Sequence, residues 1–390
     1  MRYRPVVIGI TGSFGKTSTK EAVAAVLGKY YTVWSSKSNL NTEIGVPLTI
    51  IGGIDARRNV FLWTYNFLKT LGYIIIKSKK YPKVLVLEMA ADRPGDIRYL
   101  RNLAKPKIGI ITGIGEIPVH VMYFNSMEDV AKEKSQLIKR LPKNGYAVLN
   151  EDNDYTHDLE SKTKAKVLTF GFSDQSSVKI SDYKLNQVDE LNESGISFRL
   201  EYQGSFVPVR VNNCIGKTNA YTLVAAASAG IAMSLNLVEI SEAMSLYKPP
   251  KSRLSIIKGI KNSWIIDDTY NASPDSTLAA LEALKEFDGF RKIAILGDML
   301  ELGEYTEDAH RKIGKTIQEY ADIFFAVGPK MKFAFEEAED VLMSKDRLCW
   351  FNNSEEARIT IQNYIKPNDL ILVKGSRGMK MEKIVEEIKG

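Results

Sequence analysis

Val6-Val7-Ile8-Gly9-Ile10-Thr11-Gly12-Ser13-Phe14-Gly15-Lys16-Thr17 is a short apolar run that ends in a glycine-rich turn and a Lys-Thr pair. The run from Val6 to Ile10 suits a strand buried in a parallel sheet, and Thr19 to Lys29 has the composition and spacing of a helix. A strand, a glycine-rich turn and Lys-Thr opening a helix make an anion site, because backbone N–H groups and the helix N-terminus face the bound phosphate. In this reading Lys16 reaches the β- and γ-phosphates and the Thr17 hydroxyl holds Mg²⁺. Thr11, Gly12, Ser13, Phe14, Gly15 and Ser18 complete the loop. The strict P-loop pattern asks for glycine where Ile10 stands. Gly9, Gly12 and Gly15 fall at intervals of three, which is not the G-x-G-x-x-G of a dinucleotide fold.

Further buried strands are expected at Val84–Glu88 and Ile108–Thr112, and an amphipathic helix at 128–140. Strands alternating with helices predict a parallel, doubly wound α/β domain. Between 160 and 212 the pattern changes. Ser197–Tyr202 and Phe206–Val211 read as a hairpin about Gln203-Gly204, hence a small antiparallel flap. Residues 219–246 are alanine-rich and helical. Lys248-Pro249-Pro250-Lys251 stiffens and exposes the chain, which places a boundary there and divides it into 1–248 and 249–390. The second part repeats the alternation with strands at Trp264–Asp268, Ile293–Gly297, Phe324–Gly328 and Leu370–Lys374, a smaller Rossmann-like α/β domain.

The 390 residues are 44% hydrophobic and 26% charged, ordinary for a globular protein of two or three domains. A formal charge of +6 is nearly balanced by acids. It fits phosphorylated ligands or anionic surfaces better than a nucleic-acid groove. Cys214 and Cys349 form no CxxC pair, which predicts free thiols in a reducing cytosol and no zinc site. No signal peptide is visible, so the expected location is the cytoplasm.

The compact T-G-x-x-G-K-T loop resembles that of the Mur ligase family and its folylpolyglutamate synthetase relatives. Within that family the D-alanyl-D-alanine-adding type is the nearest in its other motifs. These are Asn39-Leu40-Asn41-Thr42-Glu43-Ile44-Gly45-Val46-Pro47, Glu88-Met89 with Pro94-Gly95-Asp96-Ile97, and Asp267-Asp268-Thr269-Tyr270-Asn271-Ala272. They continue with Leu296-Gly297-Asp298-Met299, Glu301-Leu302-Gly303 and Lys374-Gly375-Ser376-Arg377. The resemblance runs from residue 5 to the C-terminus. It implies an ATP-dependent ligase that makes an amide through an acyl phosphate, using two Mg²⁺ ions, with ATP gripped from both domains.

The resemblance also assigns roles. Glu88 corresponds to a Mg²⁺ ligand, His120 to a second-metal histidine, and Lys134 to a lysine carbamylated by CO₂. Matching His120 needs two extra residues within Gly115–His120, after which the register to the following helix is intact. Read alone, His120 is a loop residue, and Lys134 and Lys132 are equally basic helix positions. Asn219, in Gly216-Lys217-Thr218-Asn219, corresponds to an adenine-binding asparagine, with Thr218 in place of the usual His. Without the resemblance it is a helix N-cap. Arg253, Asp268 and Tyr270 correspond to groups at the nucleotide. Asn41, Thr42, Asn271, Lys374, Ser376 and Arg377 are the expected substrate contacts. The implied substrates are a UDP-muramoyl peptide and D-Ala-D-Ala, with a monomer doing the work and no nucleic acid involved.

Two departures stand out. Family members of this type carry an N-terminal domain for the UDP end, whereas this chain starts almost at the first strand. Either the UDP grip is made differently, or the substrate is not UDP-linked, or the chain is a fragment. Residues 54–83 form a basic, aromatic insertion where the family has a short connection. Asn66 and Lys69 interrupt its apolar stretch, which argues against a membrane-spanning helix. An extra packed helix, a cover over the substrate cleft and a contact with a membrane surface are the readings open to it. Rival functions are ligation of another acid and amino acid, as in polyglutamate or cyanophycin synthesis, and an ATP-binding module without chemistry.

Overall fold

In the computed structural model, which describes residues 3–37, 40–76, 78–117, 124, 126–340 and 345–390, the opening stretch is the centre of a nine-stranded sheet. Its strands are β1 (Val6–Thr11), β2 (Val33–Ser35), β3 (Val84–Glu88), β4 (Ile108–Ile111), β5 (Tyr146–Asn150), β6 (Lys166–Gly171), β7 (Val178–Asn186), β8 (Gly195–Tyr202) and β9 (Ser205–Asn212). In space they run β2-β3-β1-β4-β5-β6-β7-β8-β9, parallel as far as β7 and antiparallel beyond it.

β1 and β3 are apolar up to their last residues, Thr11 and Glu88, because both faces are covered. Ile8, Ile10, Val84 and Val86 pack on one side against the helices Lys16–Gly28 and Lys217–Ala232. Val7, Leu85 and Leu87 pack on the other, under the helices Asp96–Ala104 and Met127–Ser135. Strand order reverses about β1, so the loops after β1, β3 and β4 gather at one edge, where doubly wound sheets place ligands.

The predicted hairpin is present. Gln203 and Gly204 turn it with φ of 49° and 76°, the left-handed pair that a two-residue turn needs. It is not a separate flap, however. β7 pairs with β6 on one side and β8 on the other, so the hairpin prolongs the main sheet. The expected helix over 219–246 is two helices, Lys217–Ala232 and Leu237–Met244. Ser234 at φ 65° ends the first, and Asn236 caps the second in a capping box with Glu239. The insertion forms a helix, Val60–Ile75, of which Asn66 alone is buried.

The second sheet runs β10-β11-β15-β12-β13-β14, with β10 (Ser255–Lys258), β11 (Trp264–Asp268), β12 (Arg291–Gly297), β13 (Ile323–Val327), β14 (Leu348–Phe351) and β15 (Asp369–Lys374). All pairs are parallel except β10 with β11. The four strands expected from the sequence are its centre. The two edge strands are short and carry no clear alternation. Among the described residues no helix is long and apolar enough to cross a membrane, and Cys214 and Cys349 are free thiols.

The domains share apolar surface. Leu191 and Ile215 belong to the same buried cluster as Leu254, Trp264 and the helix Pro274–Lys285. Around that patch Tyr183 donates to Glu286 at 2.8 Å, and Lys258 pairs with Glu190 at 2.8 Å. Gly216 sits in the contact with φ 78°, and a Cβ there would lie 2.9 Å from Ala283 Cβ. Gly216→Ala therefore meets both backbone strain and a neighbour across the junction. Its urea midpoint is expected to fall by an amount equivalent to about 1–3 kcal/mol. A midpoint equal to the parent's would show that the domains dock without this close approach.

Candidate active site

The phosphate loop is held from beneath by β4. Ser13 N donates to the Gly113 carbonyl at 2.7 Å, and Thr112 Oγ1 donates to the Phe14 carbonyl at 2.5 Å. A Cβ on Gly12 (φ 152°) would lie 2.0 Å from Thr112 Oγ1, so only glycine lets the loop close on this strand. Gly15 (φ 75°) turns the chain into the helix beginning at Lys16. The Lys16 ammonium folds back onto the Gly12 and Ser13 carbonyls, at 2.9 and 3.1 Å. Its pKa is lowered, by desolvation first, against the opposing pull of Glu88.

Glu88 ends β3 with its carboxylate 3% exposed. Oε1 accepts from Thr17 Oγ1 at 3.2 Å and Asn41 Nδ2 at 3.1 Å. Oε2 accepts no hydrogen bond, and Lys20 Nζ, fully buried, stands 3.5 Å away. Asn41, read from the sequence as a substrate contact, is thus turned toward Glu88, and its carbonyl takes Ala90 N at 3.0 Å. Thr42 supplies the carbonyl that receives Val46 N at the start of the helix Gly45–Ile50.

Lys134 lies on the helix Met127–Ser135 and is buried. Desolvation, then the Lys16 ammonium, push its pKa down to about 7, while Glu133 and Asp92 oppose the change. Lys134 and Lys16 therefore lie within electrostatic reach of each other at the same edge. Glu133 fixes that helix against its neighbour. Its two oxygens accept Ile97 N at 2.8 Å and Gly95 N at 2.9 Å, which accounts for the Pro94-Gly95-Asp96-Ile97 motif. His120 lies outside the described residues. The loop leading to it is anchored to the second domain, where Asp275 accepts Glu116 N at 3.3 Å and Lys312 pairs with Glu116 at 2.8 Å.

Beside Phe14 and Gly15 opens a cavity of about 160 Å³, walled by Thr112, Asn150, Asp152, Phe170, Tyr221 and Thr222 among others. It is continuous with the phosphate loop and has the polar and aromatic lining a nucleoside needs. Asp152 is pinned there by Phe172 N, Ser173 N and Tyr221 OH, at 2.5, 2.9 and 2.7 Å. The sequence reading passed over these residues. The signal was the polar run Asn150-Glu151-Asp152-Asn153 at a strand end. Asn219 does not line the cavity, and its Nδ2 donates to the Ile215 carbonyl at 2.8 Å.

From the second domain, Arg253 lays its guanidinium over the Tyr270 ring, 4.1 Å from its centre, with Nε buried and without a hydrogen bond. Burial first, and then the Arg253 charge among other groups, lower the pKa of Lys16 and of Lys374, so Arg253 lies within electrostatic reach of both. Asp268 and Lys374 form a buried pair at 2.5 Å at adjacent strand ends, and Lys374 also donates to the Asn271 carbonyl at 2.9 Å. Asp268 receives Leu254 N at 3.2 Å, which holds the linker on β11. Ser376 is 3% exposed, and its Oγ receives Leu300 N at 2.8 Å, so it ties loops together. Asn271 and Arg377 are exposed. In the Leu296-Gly297-Asp298-Met299 motif, Asp298 caps the turn at Lys330 and Met331, and Met299 N donates to His310 Nε2 at 3.1 Å.

The donors at the loop fit an ATP–Mg²⁺ pair. Thr17 Oγ1 and the Glu88 carboxylate offer hard oxygens side by side, with the Lys20 ammonium 3.5 Å from the second carboxylate oxygen. Among the described residues no three His, Cys, Asp or Glu side chains cluster as a closed metal cage.

Comparison with known proteins agrees with this geometry. The Mur ligase middle domain profile matches residues 64–230, and the Mur ligase glutamate ligase domain profile matches 252–377. A UDP-N-acetylmuramoyl-tripeptide–D-alanyl-D-alanine ligase of Bacillus subtilis is 31% identical over 98% of this chain and 75% of its own length. The enzyme of that name from Escherichia coli is 28% identical over 98% and 76%. A crystal structure of MurF from Acinetobacter baumannii superposes with a TM-score of 0.81 at 26% identity, covering 98% of this chain and 76% of that one.

The Asp268–Lys374 pair gives a direct test of the second-domain half. Asp268→Asn leaves an uncompensated buried ammonium and is expected to destabilise the protein by about 3–5 kcal/mol in urea. Adding Lys374→Met to that variant removes the orphaned charge and is expected to recover most of the loss. A double variant as unstable as the single would show that the pair is not what holds these strand ends.

Proposed function

This chain belongs to the Mur ligase family, and we propose that it is the ATP-dependent ligase that joins D-alanyl-D-alanine to a UDP-N-acetylmuramoyl tripeptide in peptidoglycan precursor synthesis. The convergence of Lys16, Thr17, Glu88 and Lys134 at one sheet edge, faced by Arg253 from the other domain, carries the reading. The substrate carboxylate takes the γ-phosphoryl group of ATP, giving an acyl phosphate and ADP. The dipeptide amine then attacks the acyl carbon and expels phosphate, leaving the amide.

There is little covalent work for the protein in such a transfer, and positioning and charge supply the catalysis. The backbone N–H groups at the start of the helix Lys16–Gly28 and the Lys16 ammonium hold the phosphates. The nucleoside enters the cavity between Phe14 and Tyr221, and Asn219, bonded to the Ile215 carbonyl, holds the start of the helix that carries Tyr221. Thr17 and Glu88 hold one Mg²⁺, with His120 and Lys134 at a second. Mg²⁺ bound there neutralises phosphate oxygens. Arg253 stabilises charge on the transferred group, with Tyr270 beneath it. Asp268 positions Lys374, and Asn271 and Arg377 face the incoming substrate, with Ser376 holding their loops. Closure about residues 248–252 brings the two halves together.

Lys134 is proposed to act as its carbamate. The neutral amine adds CO₂ and releases a proton, turning a buried cation beside Lys16 into an anion. Burial that drives its pKa to about 7 supplies the neutral amine near neutral pH. Lys134→Arg keeps the cation but cannot form the carbamate. We expect it to lower phosphate release about 10²–10³-fold. In the parent, ¹³C-labelled bicarbonate should give a carbamate resonance that is absent from the variant. A variant with parental activity would remove the role.

Substrate choice is tested by phosphate release with ATP and Mg²⁺. UDP-muramoyl tripeptide with D-Ala-D-Ala is expected to turn over, and the same acid with L-Glu or L-Asp is expected to be slower by about 10²-fold or more. Turnover only with an acid lacking the UDP-sugar would replace this assignment with another acid–amino-acid ligase. No turnover with any pair would favour an ATP-binding module.

A further inference from the structure

The helix Val60–Ile75 turns most of its large apolar side chains to water. Its inward side is mixed, with Asn66 and Lys69 beside Leu62 and the Tyr73 ring, which packs against Trp34 and Tyr81. Asn66 exchanges hydrogen bonds with the N–H and carbonyl of Ile54, at 2.9 and 2.8 Å. Lys69 donates to the Gly52 carbonyl, with its ammonium 5.9 Å from the ring centres of Trp34, Tyr65 and Tyr73. Its outward side is apolar. At 3.6 residues per turn Phe67, Leu71, Ile74 and Ile75 fall in one stripe, with Phe61 and Leu68 beside it. Phe61 is 86% exposed and Phe67 69%. Single exposed apolar residues need no account, but a continuous ridge of them does.

The ridge is firmly mounted. Trp63 Nε1 donates to the Arg57 carbonyl at 3.2 Å near its start. At its end Tyr3 OH donates to the Ile76 carbonyl at 3.0 Å, and the Tyr3 ring stacks on Tyr81 at 4.2 Å. The charge around it has one sign. Residues 54–83 contain seven lysines and arginines and one acid. Arg57 and Arg58 stand exposed before the helix, and Lys79 and Lys80 stand exposed after it.

We propose that this helix lies flat in the headgroup region of an anionic lipid surface and holds the enzyme there peripherally. Its 16 residues span about 24 Å, short of a hydrocarbon core of about 30 Å, so it suits lying in the interface and not crossing it. The apolar ridge enters the acyl boundary while cations at both ends meet anionic headgroups. A second copy of the chain fits less well. Antiparallel pairing of two such helices sets Arg57 and Arg58 of one against Lys79 and Lys80 of the other, with Asp55 the single acid beside these four cations. The proposal does not depend on the ligase reading.

The test is co-sedimentation of the full chain with phosphatidylcholine vesicles, with and without phosphatidylglycerol. Binding is expected to rise with phosphatidylglycerol, to weaken in about 0.5 M salt, and to fall about tenfold or more in Phe67→Ser/Leu71→Ser/Ile74→Ser. These side chains are outside the core, so thermal unfolding and phosphate release in solution should match the parent. In the parent, brominated lipid should quench tryptophan emission, and Trp63→Phe should remove most of that quenching; this readout does not depend on the triple variant folding. No binding to either vesicle, or binding unchanged in the triple variant, would overturn the proposal. A parent dimer that the triple variant turns into monomer, with no vesicle binding, would assign the ridge to a second copy instead.

Discussion

A carboxylate buried at the end of a central strand is costly unless donors surround it, and Glu88 organises the ligand edge for that reason. Thr17 comes to it from the first turn of the phosphate-loop helix, Asn41 from the loop after β2, and Lys20 from one helical turn further on. Three segments distant in sequence are thereby held around one point. The oxygen of Glu88 left without a hydrogen bond faces the Lys20 ammonium at 3.5 Å, which offsets part of the cost of burying the charge.

The two domains divide the work. The first supplies a rigid phosphate loop, clamped by Thr112 and Gly113 so closely that Gly12 has no room for a side chain. The second supplies Arg253, stacked on Tyr270, and a buried ion pair that joins the ends of β11 and β15. Shared apolar contacts through Leu191 and Ile215 keep the halves in register. The insertion turns an apolar ridge outward with exposed cations at both ends, and that surface is what the proposed lipid contact rests on.

Much of this was legible in the chain. The central strands of both sheets, the phosphate loop and the linker follow from apolar runs, glycine spacing and prolines, which are local signals. Several motif residues were legible only as a set. Asn41 and Ser376 read as substrate contacts, yet their side chains bond to Glu88 and to Leu300 N. Spacing places a residue at a strand end but does not say which way its side chain turns.

What the sequence by itself determined is the alternation of strand and helix, the anion loop and the resemblance that named its chemistry. Each depends on neighbours within a few residues or on motif order. Tertiary structure alone decided that the hairpin prolongs the sheet, because β7 pairs in parallel with β6 along one edge and carries β8 on the other. It also decided that Lys134 is buried near Lys16, and that Asp152 and Tyr221 close a cavity beside Phe14. The outward turn of Phe67 and Leu71 belongs to the same class. Composition counts apolar residues, and only packing settles which of them water sees.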